Sequence, residues 1–149
     1  SFFVPGEPKS KGSTRSFINP KTNTMVTQPA NPKMKEWQRL IQLAASQATD
    51  HGPSDKPVEV VAEFVMPRPK YHYGTGRNAV RLKVSSPIVH ATTPDVDKLV
   101  RCVLDGLTHV LFDDDKQVCF VSARKRYVRQ DEKPGVHIEV SPTNEVRAI

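Results

Sequence analysis

At 149 residues the chain has the length of one domain, able to bury about two-thirds of its unfolded surface around a single core. Its 22 Lys and Arg against 16 Asp and Glu give a formal charge of +6, which points towards polyanions such as nucleic acid. No apolar run approaches the roughly 18 residues of a membrane span, and the two cysteines, Cys102 and Cys119, fit neither a zinc ribbon nor a redox pair and read as buried free thiols.

Residues 1–4 form a short apolar opening that Pro5-Gly6 ends, as a strand followed by a turn would. The next twenty residues are rich in Lys, Arg, Ser, Thr and Gly. They read either as a solvated loop or as a segment whose Lys9, Lys11 and Arg15 lie along a phosphate backbone. From Asn31-Pro32, a cap followed by a proline at the first helical position, Met34, Trp37, Leu40, Ile41 and Ala44 recur at threes and fours and predict a helix to about residue 49. Trp37 falls on its apolar stripe and is expected in the core. Residues 56–67 alternate with a period of two, are apolar on much of both faces, and predict a central strand.

Residues 68–93 are the least regular part of the chain. Arg68, Lys70, Arg77, Arg81 and Lys83, with His72 and His90 if protonated, alternate with Tyr71 and Tyr73. That mixture suits contact with a nucleic-acid backbone and an unstacked base. A second helix is expected from Thr93 or Asp95, either of which could cap it. Its apolar positions Val96, Leu99, Val100, Val103, Leu104, Leu107 and Val110 face the core, and Asp97, Arg101 and Asp105 stack on the opposite stripe. Gly106 within it suggests a close packing contact. After Asp113-Asp114-Asp115 come a strand over 117–128, a hairpin loop at 131–134, a last strand over 135–140 and a tail expected to fray.

Carboxylates thus gather at residues 94–117 of a basic protein. Asp95 and Asp97 stand about 200° apart on a regular helix, so both can face one ion only if Asp95 lies at or before the cap. Extended geometry there is plausible because Pro94 follows Thr93. A third carboxylate, Asp115, would come from the strand side. Hard oxygen ligands in this number suit Mg²⁺ or Mn²⁺ rather than zinc, and such an ion beside a polyanion suits phosphodiester hydrolysis, with Arg101 the best-placed cation. The plainer alternative is a helix cap and a solvated acidic turn. A calcium loop lacks its glycine and glutamate, and no Ser-His-Asp or Cys-His arrangement occurs.

The run PDVDKLVRCVLDGL followed by FDDDKQV resembles the RusA family of Holliday-junction resolvases, with its D-x-D-N-L…K…D-A-L segment and D-D-x-Q-V. The resemblance is strong over residues 94–118 and looser over VPGEPKSKG and RPKYHYGTGRN. It implies a single α+β domain over 1–149, a mixed β-sheet with two main helices packed on it. It also implies a homodimeric, Mg²⁺-dependent endonuclease of four-way DNA junctions, acting inside the cell in the nucleoid or a phage-infected cytoplasm. Position by position, Asp95, Asp97 and Asp115 match the metal-binding aspartates, with Asp114 a further candidate and Asp105 a supporting residue. Two positions depart from the pattern: Lys98 replaces asparagine, and Arg101 replaces a catalytic lysine. Arginine keeps the charge but cannot serve as a general base. The departures keep two other readings open, a non-catalytic binder of branched DNA and a flap or general nuclease.

Overall fold

In chain order the elements are β1 (Phe2–Pro5), β2 (Thr14–Asn19), β3 (Thr24–Pro29), α1 (Lys33–Ala48), β4 (Val58–Met66), α2 (Val96–Leu107), β5 (Val118–Tyr127) and β6 (Gly135–Pro142). The structure, a computed structural model, describes residues 1–12, 14–29 and 32–143, with backbone alone at 14, 15, 28 and 29. Asn31, the expected cap of α1, the tail at 144–149 and the Arg15 side chain lie outside the described residues.

β4 is central, as its two apolar faces predict. The main sheet runs β1-β6-β4-β5, with β5 parallel to β4 and β6 antiparallel to it. Both helices pack on one face and seal the core there: Met34, Trp37, Ile41 and Ala45 from α1, and Leu99, Cys102, Val103 and Leu107 from α2, meet Val60, Ala62, Phe64, Val136 and Ile138 of the sheet. The expected α+β architecture, a mixed sheet with two helices, is observed. Gly106 marks the closest approach of the helices. A Cβ built there would stand 2.9 Å from Ile41 Cγ2 and 3.1 Å from the Gln38 carbonyl.

Four expectations are corrected. The basic stretch after β1 contains a two-stranded ribbon, β2–β3, paired from Thr14↔Pro29 to Asn19↔Thr24. Polar Thr, Ser and Asn residues conceal its period. Residues 131–134 are not a β-hairpin loop, because β5 and β6 flank β4 on opposite sides and the connection crosses the end of β4. There the Val128 N–H donates to the Met66 carbonyl at 2.9 Å. Glu132 secures the crossing through a forked pair to Arg126 (2.6 and 2.7 Å), and those hydrogen bonds hold its carboxyl down at about 2.

Cys102 is buried, which pushes its thiol up to about 12, but Cys119 is exposed. The β4–β5 register shifts between Val58 and Glu59, so Val118 and Phe120 have partners on β4 while Cys119, between them, has none. Finally, His72 and His90 are not part of a cationic surface. Both are buried against Tyr127, with ring centroids 5.2 and 4.8 Å away. Burial lowers both pKa values, helped by Arg68 and Lys83 around His72 and by Lys125 near His90. The 68–94 segment is therefore clasped to the end of β5.

Candidate active site

The chain from β4 through α2 to β5 is a parallel crossover, with α2 carrying its polar stripe away from the core. Asp95 is the residue ahead of the helix. Its backbone is extended (φ −69°, ψ 142°) and its carboxylate makes no capping bond. The condition that Asp95 leave the helix is therefore met, and its side chain is available. The Lys98 ammonium lies 3.6 Å from it. Asp97, one turn above Arg101, has no hydrogen-bond or ion-pair partner among the described residues.

Arg101 is the hub of the stripe. Its guanidinium donates to Asp115 Oδ2 at 3.2 Å and lies 3.9 Å from Asp105 Oδ1. Asp105, the least exposed of these carboxylates, is also held by the Lys11 ammonium. The Lys11 backbone N–H donates to the Lys98 carbonyl at 3.2 Å, so the segment before β2 is fastened along α2. Asp115 opens the short turn Asp115–Gln117 that leads into β5. Asp114 caps that turn: its carboxylate accepts from the Lys116 N–H at 2.9 Å, and the Gln117 side chain accepts from the Asp114 N–H at 2.8 Å. The Lys116 amide, then the neighbouring Asp115 carboxyl and nearby cations, hold the Asp114 carboxyl below the usual range. Asp114 is thus held by the backbone of its own turn, whereas Asp115 is held by the Arg101 side chain.

The structure brings Lys11, Arg101, Asp105 and Asp115 together, with Asp95 and Asp97 at the head of the same helix. Among the described residues, no three His, Cys, Asp or Glu side chains lie close enough to hold a metal ion as they stand. The donor chemistry nevertheless suits a hard cation: three carboxylates, of which Asp95 and Asp115 are 57% and 36% exposed and are paired to the side chains of Lys98 and Arg101.

Lys125 is a site residue that the sequence conceals. It pairs in register with Phe64 and so sits on the helix-bearing side of the sheet. Its ammonium donates to the carbonyls of Thr92 and Pro94, the latter at 2.8 Å. It thereby fixes the turn that presents Asp95. Nothing in RKR at the end of a strand distinguishes this lysine from its neighbours, since the contact spans 31 residues.

Of the cations expected to grip DNA, Lys70, Arg77, Arg81 and Lys83 are exposed. Lys9 is ion-paired to Glu7 at 3.2 Å. Arg68 is turned into the fold, over the Tyr127 ring at 4.3 Å and donating to the Pro87 carbonyl at 2.7 Å. The charge distribution is lopsided: no Asp or Glu occurs between Glu7 and Glu36, or between Glu63 and Asp95. Those two acid-free segments both reach α2, through Lys11 and through Pro94.

A family model described as Endodeoxyribonuclease RusA matches residues 5–141. The chain is also 30% identical over 140 residues to "Uncharacterized protein YqaN" of Bacillus subtilis (strain 168), a match covering 93% of each.

Proposed function

Because this chain belongs to the RusA family of endodeoxyribonucleases, we propose that it is a Mg²⁺-dependent, structure-specific endonuclease that cuts four-way and related branched DNA. The observation that carries the reading is the α2 stripe, where carboxylates and Arg101 meet at the junction of two acid-free segments. Asp95, Asp97 and Asp115 would hold the ion, which when bound supplies charge neutralisation and activation of water. Arg101, released from Asp115, would face the scissile phosphate and offset its developing charge. Lys125 and Lys11 hold the two ends of the stripe in place. Exposed Lys70, Arg77, Arg81 and Lys83 would bear on the phosphate backbone of the arms. Symmetrical cuts need two such sites, hence a C₂ dimer.

One observation favours a binding-only protein: Arg101 already neutralises Asp115 as a cation would. A cleavage assay separates the readings. Labelled four-way, flap and linear duplex DNA are incubated with the protein in Mg²⁺ or EDTA, beside Asp97→Asn. We expect cuts near the branch that need Mg²⁺, with Asp97→Asn losing at least about 100-fold in rate while still binding DNA. Cutting that survives EDTA or the substitution sinks the mechanism, and binding without cutting supports the binding-only protein.

A further inference from the structure

Among the described residues, the β2–β3 ribbon makes no strand pairing with the main sheet. Six residues on each strand give it a reach of about 20 Å. One face carries Ser16 opposite Thr27, joined by a 3.1 Å hydroxyl hydrogen bond, and beyond them Ile18 opposite Met25. Those two apolar side chains are 63% and 73% exposed at the end of the ribbon. The turn beneath them is built. The Asn23 N–H donates to the Asn19 carbonyl at 2.7 Å, the Lys21 N–H donates to Asn19 Oδ1 at 3.0 Å, and Asn23 takes the left-handed φ of 54° that asparagine tolerates.

An ordered tip that holds two large apolar groups in water calls for an occupant. In the stretch between Glu7 and Glu36, which holds no carboxylate, Arg15, Lys21 and Lys35 accompany the ribbon, while Lys9 and Lys11 are already paired to Glu7 and Asp105. A second copy, itself at +6, would bring like charge to it. DNA offers both complements, phosphates for the cations and base faces for the aliphatic pair. Apolar side chains carried among cations are a recurrent device for prising base steps apart. The root of the ribbon is fastened to the catalytic stripe by Lys11. We infer that the ribbon is a wedge whose Ile18–Met25 pair unstacks bases at the branch point while α2 addresses the backbone nearby. The inference rests on the branched-DNA reading above and assigns the element that recognises the branch.

The test uses a four-way junction with 2-aminopurine at the branch, bound by saturating full-length protein carrying Asp97→Asn so that nothing is cut. Binding should raise the fluorescence several-fold. Ile18→Ser with Met25→Ser should abolish that rise and weaken junction binding about tenfold, through loss of the apolar contact, while linear duplex affinity stays within about twofold because the phosphate contacts remain. Lys21→Ala should do the reverse, weakening both DNAs and keeping the rise. A rise that persists in the serine pair, or none with the intact ribbon, overturns the wedge alone. So does an equal loss on junction and duplex, or a serine pair that alters sedimentation and leaves fluorescence unchanged, since the tip would then cover a second copy. If the intact protein binds no branched DNA, the functional reading falls and the wedge falls with it.

Discussion

Arg101 sits between two carboxylates, Asp115 at 3.2 Å and Asp105 at 3.9 Å, and its replacement separates two roles. If it offsets charge on phosphate, Arg101→Ala should lower the single-turnover rate about 100-fold, whereas Arg101→Lys, which keeps the charge, should stay within about tenfold. Equal loss in both would mean that the forked geometry matters more than the charge. At this scale the site was partly legible. That Asp95 must lie at or before the cap could be stated from the spacing, but the choice between Thr93 and Asp95 as the cap belongs to the structure, which puts Asp95 there. Asp115 could be put ahead of Asp114 from the strand that follows and from the family pattern, but the reason Asp114 is occupied could not be read, because its capping bonds exist only once the turn closes against Gln117. Lys125 could not be seen at all, since its partners are backbone carbonyls that any sequence would offer.

At the level of elements, the α1–α2 contact depends on the bare Cα of Gly106. Gly106→Ala gains about 1 kcal/mol of helix propensity but forces a methyl to within 2.9 Å of Ile41 Cγ2, an overpacking cost of about 1–3 kcal/mol. The net expectation is destabilisation of about 1 kcal/mol, read as a fall of a few degrees in Tm. The clasp on the 68–94 segment should respond to pH. His72 and His90 have folded pKa values below that of the unfolded chain, so the unfolded state takes up protons first as pH falls. The contribution is complete above about pH 6.5 and declines as the solution is acidified through the folded values. Thermal melts between pH 8 and 5 should show Tm falling below that point, and His72→Gln with His90→Gln should flatten the curve. α1, α2 and β4 were legible because their apolar spacing is a one-dimensional record of burial. The β2–β3 ribbon was not, because none of its described side chains joins the core and no alternation marks it.

For the whole molecule, charge is the property that length and composition carry furthest. Lys21, Lys70, Arg77, Arg81 and Lys83 are all exposed. If those five side chains engage phosphates, the logarithm of duplex affinity should fall against that of salt with a slope of about −4 to −5. A fluorescence-anisotropy titration at several salt concentrations measures it, and a slope near zero would show that the acid-free segments do not meet the backbone.

The sequence by itself determined the two packed helices, the central strand, the carboxylate-rich stripe and the basic surround, since each is written in residues a few positions apart. Tertiary structure alone decided which carboxylate faces which cation, where β5 and β6 lie about β4, and which histidines and arginine are withdrawn from the surface. Those outcomes rest on contacts between residues far apart in the chain, such as Lys11 with Asp105 and Lys125 with Pro94. Such contacts arise from closure of the core and leave no local pattern.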